Sequence, residues 1–227
     1  MDAIAAELAA QLLYNLNQIP AHKRLLVGIA GIPGAGKTVF AHKLISALAA
    51  QPAVLIGLDG WHYTRAELAA MPDPQLARNK RGAHWTFDGS SYVAFMRSLT
   101  EDITPFTPII TAPSFDHAIK DPEPHAVAIH PHHRIVIIEG LYTFLSITPW
   151  AEASKLLDER WFVQTDIDKV IERIVKRHVV TGVAKDEEEA IWRANENDMP
   201  NGRFLMENML EPTRVITSID DTSLTPL

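Results

Sequence analysis

The chain has 227 residues, with 21 Lys and Arg against 28 Asp and Glu, so its formal net charge is −7. A composition of 47% hydrophobic and 22% charged residues excludes a disordered chain, and the net acidity excludes a general nucleic-acid binder, whose affinity comes from massed Lys and Arg. With no Cys there is no disulfide scaffold, thiolate nucleophile or Cys-ligated zinc, and no apolar run approaches the roughly 20 residues of a membrane span.

Residues 1–20 predict an N-terminal helix, because Ile4, Leu8, Leu12 and Leu16 recur every four positions between Asp2 and Leu16. This start is neither basic nor Arg-rich, so it reads as no secretory or mitochondrial address, and the cytoplasm is the expected location. Arg24 to Ala30 is a nearly continuous apolar run, suited to a strand buried on both faces. Lys37 to Ala50 has a helical period at Phe40, Leu44, Ile45 and Leu48, and Ala53 to Leu58 is a second buried strand, ending at Asp59-Gly60. Residues 61–87, with Pro72, Pro74 and Gly82, read as a loop too long for an ordinary connector, hence as a substrate-side insertion. Asp88 to Leu99 predicts a helix with Tyr92, Phe95, Met96 and Leu99 on one side. A short strand is expected within Pro105 to Thr111, then a His- and Pro-rich loop as far as His133. Arg134 to Ile138 is the third buried strand, ending at Glu139-Gly140; Arg160 to Gln164 is the fourth and Arg214 to Ile219 the last. Helices over Ile167 to Val180 and Glu187 to Asn197 lie between those two. Buried strands separated by helices predict an α/β fold: a doubly wound, mostly parallel sheet in one domain, residues 1–227.

The turn after the first strand decides the class. Gly31-Ile32-Pro33-Gly34-Ala35-Gly36-Lys37-Thr38 matches G-x-x-x-x-G-K-[ST] between a buried strand and an amphipathic helix, the pattern of a P-loop NTPase. Glycines let backbone N–H groups approach phosphate oxygens, and the helix that follows aims its positive end at the same anion. The cradle expected for ATP therefore spans Gly31 to Val39. Lys37 would reach the β- and γ-phosphates, and the Thr38 hydroxyl would help hold Mg²⁺. A dinucleotide fold is excluded: Gly28, Gly31 and Gly34 are spaced G-x-x-G-x-x-G, and Val39 stands where the third glycine after Gly34 and Gly36 should be. A GTP switch is disfavoured, because Asn79-Lys80-Arg81-Gly82 lacks the Asp of a guanine motif.

Transfer to a hydroxyl needs an oriented carboxylate near the γ-phosphate and cations around the transferring group. Asp59, at the carboxyl end of the second strand, is the candidate base; its bland alternative is a cap on the turn begun by Gly60. Glu139, at the matching end of the third strand, is the candidate acid near metal and substrate, or else a helix cap. Arg173 and Arg177 lie four apart on one flank of a helix whose buried side is Val170, Ile171, Ile174 and Val175. They suit a lid over the phosphates spanning residues 168–198, or a solvated face with pairs such as Glu172 and Lys176. Asp186 and Glu189 have capping-box spacing and read as a helix start. The insertion supplies candidate acceptor contacts at Trp61, His62, Arg78, Arg81, His84 and Asp88. Its cations Arg65, Arg78, Lys80 and Arg81, in so acidic a chain, suggest an anionic substrate group or phosphate. His125, His130, His132 and His133 include no H-E-x-x-H pair and read as a polar turn rather than a metal site.

Together, Gly31 to Thr38, Asp59-Gly60-Trp61-His62, Arg81-Gly82 with Thr86-Phe87-Asp88, Ile138-Glu139-Gly140-Leu141 and the lid-like arginines resemble the phosphoribulokinase, uridine kinase and pantothenate kinase family, from about Leu25 to Asp220. Asn197-Asp198-Met199-Pro200-Asn201 resembles the tail motif of its bacterial sugar-transport-associated and fungal uridine-kinase-like members. The resemblance implies ATP-dependent phosphorylation of a small-molecule hydroxyl, with the base at Asp59, the Mg²⁺-associated acid at Glu139 and lid arginines at Arg173 and Arg177. Gly60-Trp61-His62 departs from the Ser-Phe-Tyr-like run of uridine kinases toward the pantothenate kinase pattern. The acceptor stays open among nucleosides, sugars, sugar acids and pantothenate-like compounds. No nucleic-acid or membrane partner is expected, and the chain is either a monomer or a homodimer. A P-loop hydrolase or switch, and a nucleotide-binding regulatory protein, are the alternative classes.

Overall fold

The computed structural model describes residues 1–48, 53–116 and 119–218. Helix α1 (Asp2–Leu16) turns Leu8, Leu12 and Leu16 inward together with Ala5 and Ala9, and packs on α2 (Lys37–Ala47). Complete burial of leucines such as Leu8 and Leu12 stabilises the fold by about 1.5–3 kcal/mol each. Strand β1 (Leu25–Ala30) is buried at every position. After β2 (Ala53–Gly57) the chain passes through a 3₁₀ turn (Leu58–Trp61), α3 (Arg65–Ala69), α4 (Pro74–Asn79), a second 3₁₀ turn (His84–Thr86) and α5 (Gly89–Leu99). Strands β3 (Ile110–Asp116) and β4 (Asp121–Ile129) follow, then β5 (Ile135–Glu139), α6 (Trp150–Ser154) and β6 (Glu159–Gln164). The chain continues as α7 (Ile167–Val180), α8 (Glu187–Arg193), a π-helical turn (Ala194–Asp198), α9 (Met199–Asn208) and β7 (Arg214–Thr217).

Five strands form one parallel sheet in the order β2-β5-β1-β6-β7. Alternate residues of the central strands enter different cores, as a pleated strand requires. Val27 and Ile29 of β1 and Ile135 and Ile137 of β5 join α1, α2 and α7 on one face. Leu26, Ala30, Val136 and Ile138 join α5 and α6 on the other. This two-sided burial is why both strands read as unbroken apolar runs. Every strand of the sheet ends at one edge, and that edge carries the P-loop after β1, Asp59 after β2 and Glu139 at the tip of β5.

Three expectations are corrected. Residues 61–87 are no open loop but hold α3, α4 and a 3₁₀ turn; short helices capped by Thr64 and Asp73 leave too few residues for a clear period. The strand expected within Pro105 to Thr111 begins at Ile110 and runs to Asp116, and the His- and Pro-rich stretch after it contains its antiparallel partner β4. Pro122 and Pro124 are tolerated because β4 belongs to a two-stranded ribbon outside the main sheet. The helix expected over Glu187 to Asn197 ends at Arg193, passes through the π-helical turn and continues as α9, despite Pro200 in its first turn. Elsewhere α2 ends at Ala47 and β7 at Thr217; Ala50 and Ile219, expected in those elements, lie outside the described residues.

Candidate active site

Gly34 and Gly36 of the P-loop hold φ angles of 76° and 88°, where an L side chain is strained. The Ala35 N–H donates to the Ile32 carbonyl at 3.1 Å, and Lys37 Nζ arches back to the same carbonyl at 3.1 Å. Two helices brace the loop from outside. A Cβ on Gly34 would lie 2.9 Å from Ile174 of α7, and one on Gly202 of α9 would lie 3.1 Å from Ile32. The loop is thus held in shape by packing as well as by its own turn.

Glu139 is in register with Ile29 of β1 and Gly57 of β2, which places its carboxylate between the P-loop and the end of β2. Thr38 Oγ1 donates to Glu139 Oε1 at 3.2 Å, across 101 positions of sequence. Burial pushes the Glu139 carboxyl above its ordinary range; Lys37 and the Thr38 bond pull it down, and Asp59 adds to the rise. Burial likewise lowers the Lys37 amine, with Arg177 acting the same way and Glu139, Asp59 and Asp198 opposing. Those four groups therefore share one field around Nζ. The Asp59 side chain is 51% exposed on its 3₁₀ turn, while its carbonyl accepts from the His62 N–H at 3.1 Å. His62 Nδ1 lies 2.9 Å from the same carbonyl, which can only accept, so Nδ1 carries the proton.

Helix α7 buries Val170 and Ile174 completely against the P-loop side of the core. Arg173 Nη1 reaches the Gly34 carbonyl at 3.4 Å, and the charge of Arg177 is felt at Lys37. Arg173 therefore touches the phosphate loop directly, and Arg177 lies near enough for its charge to act on Lys37. Asp186 accepts from the Glu189 N–H at 2.9 Å and caps α8, as its spacing predicts.

On the acceptor side, Trp61 is buried, its ring 4.9 Å from Phe95 and 5.3 Å from Tyr92. His62 stacks on Phe87 at 3.8 Å, and His84 lies flat on Phe204 at 4.3 Å, where burial lowers its basicity. Asp88 caps α5 by accepting from the Ser91 N–H at 2.9 Å. The four cations of the insertion are engaged by the chain itself. Arg81 donates to the Tyr63 carbonyl, the Lys120 carbonyl and Asp121, at 2.9, 2.6 and 3.0 Å. Arg65 binds Asp121 through its backbone N–H and Nε, Arg78 reaches Gln75 Oε1 at 3.2 Å, and Lys80 reaches the Glu196 carbonyl at 2.5 Å. His130, His132 and His133 fold into a turn in which His133 Nδ1 accepts from the His130 N–H at 3.1 Å.

A profile of the phosphoribulokinase/uridine kinase family matches residues 26–202, most of the chain. The chain belongs to this family. An Aspergillus versicolor protein named ATP-dependent kinase-like protein notR′ is 46% identical over 153 residues, 67% of this chain and 89% of that one. A Schizosaccharomyces pombe protein carrying a provisional uridine kinase name is 37% identical over 213 residues, 91% of this chain and 89% of that one. The solved structure of YFH7 from Saccharomyces cerevisiae superposes with a TM-score of 0.82, over 96% of this chain and 99% of that one, at 20% identity; this is a likeness of fold.

Around the site lie a residue that the sequence did not single out and a motif whose contacts it did not reveal. Tyr142, three positions after Glu139, donates to the Gly82 carbonyl at 3.0 Å and ties the β5 edge to the insertion. The Asn197–Asn201 motif holds three parts together. Asn197 Nδ2 donates to the Arg81 carbonyl at 2.8 Å, Asp198 accepts from His178 at 2.8 Å, and Gly202, next along, lies against the P-loop. The motif was visible in sequence, but nothing in its spacing tells which segments it touches.

Proposed function

We propose that this P-loop kinase transfers the γ-phosphoryl group of ATP to a hydroxyl of a small metabolite, with Mg²⁺, in the cytoplasm. The observation that carries the reading is the meeting, at one sheet edge, of a phosphate loop with its lysine, a carboxylate bonded to the loop threonine, and a second, half-exposed carboxylate at Asp59. Thr38 Oγ1 and Glu139 Oε1 stand side by side as two hard oxygen donors, the chemistry that Mg²⁺ takes. When bound, the metal neutralises phosphate charge. The absence of Cys supports this location; among the described residues no helix is long and apolar enough to cross a membrane.

In this reading the backbone from Gly31 to Val39 cradles the triphosphate, and Lys37 turns from the Ile32 carbonyl to the β- and γ-phosphates. Asp59 accepts the acceptor hydroxyl's proton as its oxygen bonds to the γ-phosphorus. The bond from that phosphorus to the β–γ bridging oxygen breaks, and ADP leaves with the electron pair. Arg173 and Arg177 neutralise the charge spread over the transferring group. The acceptor, of nucleoside, sugar, sugar-acid or pantothenate-like size, binds beside the Asp59 turn, with Trp61, His62 and Asp88 framing it. Arg65, Arg78, Lys80 and Arg81 each make a hydrogen bond within the chain, so their number alone does not argue for an anionic acceptor.

The test is ADP release from MgATP across pooled acceptors, with Asp59→Asn as the comparison. A pool that raises ADP only with intact Asp59 supports phosphotransfer. Equal ADP in every pool, or none despite ATP binding, moves the assignment to a hydrolase or a nucleotide-binding regulator.

A further inference from the structure

Two depressions flank the insertion, and they are lined by opposite charge. The first, about 300 Å³, lies between the Asp59 turn and the β3–β4 hairpin; Glu67, Asp88, His62, Tyr63, Ser91 and His125 present its polar groups, and among the described residues no Lys or Arg lines it. The second, about 640 Å³, is lined by Arg65, Arg78 and Arg81 with Asp121, and shares no residue with the Asp59 turn.

We propose that the acceptor is an uncharged or cationic, hydroxyl-rich compound seated in the smaller, acid-lined depression, and that anionic acceptors are rejected there. This rests on the phosphotransfer reading above. Position favours the smaller depression, because its wall runs through Gly60, Trp61 and His62, the residues that directly follow Asp59. His62, bonded to the Asp59 carbonyl at 2.9 Å, joins that wall to the base. Each carboxylate keeps one oxygen for a ligand. Glu67 Oε2 accepts from the Thr64 N–H and hydroxyl, both at 2.7 Å, which leaves Oε1; Asp88 Oδ1 accepts from Ser91, which leaves Oδ2. Two such oxygens match the O–H donors of a polyol or the N–H donors of an amine, and oppose a carboxylate or phosphate. The same field is visible on the protein's own phenol. Burial raises the Tyr63 pKa, and Asp88 and Glu67 raise it further. An anion entering the depression meets that repulsion, and among the described residues no Lys or Arg in the wall offsets it.

The two carboxylates can be neutralised without removing their structural roles. Gln replaces Glu in a capping box and Asn replaces Asp as a helix cap, so Glu67→Gln and Asp88→Asn isolate charge from folding. The experiment compares matched acceptors: ribose with ribose 5-phosphate, glucose with gluconate and glucosamine, and uridine with its monophosphate. Turnover is read as ADP release, and binding as fluorescence quenching that is lost in Trp61→Phe. The expected result is a preference of roughly tenfold or more for the neutral or amino member of the set that is used, narrowing by roughly tenfold in the double variant. Preference for the anionic member overturns the proposal, and loss of that preference in Arg78→Ala would move the acceptor to the arginine-lined depression. Binding of neither class overturns the assignment of this depression. Neutral-selective binding without ADP from any acceptor supports the charge selectivity and sinks phosphotransfer instead.

Discussion

His178 of α7 and Asp198 of the π-helical turn share a hydrogen bond of 2.8 Å, and both side chains are largely buried, at 8% and 15% exposure. The bond ties the helix that carries Arg173 and Arg177 to the segment packed on the P-loop through Gly202. Single π-helical turns are frequent at functional sites, and here the wide turn delivers Asp198 to α7 while Asn197 reaches the insertion.

Asp198→Ala should loosen the lid without touching the loop lysine. We expect the ATP KM to rise roughly five- to tenfold, more than kcat falls, with a stability loss of about 1–3 kcal/mol in urea unfolding. Asp198→Asn, whose amide oxygen still accepts from His178, should recover most of the affinity. An Ala variant with an unchanged ATP KM would remove the link between this bond and the lid.

Asp59→Asn keeps the size of the base and removes its proton affinity. General-base assistance contributes about 10²–10⁴-fold, so turnover should fall by that factor while MgATP affinity, measured by calorimetry, stays within about twofold. Full turnover in the variant with its true acceptor would refute the base assignment.

Lys37→Ala removes a charge-assisted contact to the phosphates. Such contacts contribute about 1.5–3 kcal/mol, which corresponds to a roughly ten- to hundredfold weaker ATP Kd. Wild-type affinity in titration calorimetry would count against the phosphate cradle.

Asp121 sets an acid limit on the hairpin. Burial raises its carboxyl, but the Arg65 N–H and the Arg81 and Arg65 side chains outweigh it, so the folded pKa lies below the ordinary aspartate range. Between those two values the unfolded chain binds more protons than the folded one, so stability must fall as pH drops through that window. Above it the contribution is complete. Unfolding free energies of wild type and Asp121→Asn should therefore differ at neutral pH and converge as the pH falls below that window; a constant difference throughout would show that the ion pairs do not hold the hairpin.

The strands of the main sheet were legible because burial on both faces leaves an unbroken apolar run, as in β1 and β5. The hairpin was not: β4 faces solvent over much of its length, so its alternation is filled with Pro, His and Glu rather than apolar residues. The insertion hid its helices for a different reason. α3 and α4 have five and six residues, shorter than two helical turns, so only their caps mark them.

The P-loop, the strand-end acids Asp59 and Glu139, and the pairing of Arg173 with Arg177 on one helix flank were determined by the sequence itself, because each depends on spacings within a single turn, strand end or helix. Whether those groups meet was decided by the tertiary structure. The Thr38–Glu139 bond spans 101 positions, and the Arg81–Asp121 bond spans 40. The second of these also changed the meaning of a composition. Four cations in the insertion pointed to an anionic ligand as long as their partners were unknown; folding brings Asp121, Gln75 and backbone carbonyls to them, and sets two carboxylates, Glu67 and Asp88, in the wall of the depression beside the Asp59 turn. Charge in a sequence is a count, and only the fold decides which charges the protein's own groups already satisfy.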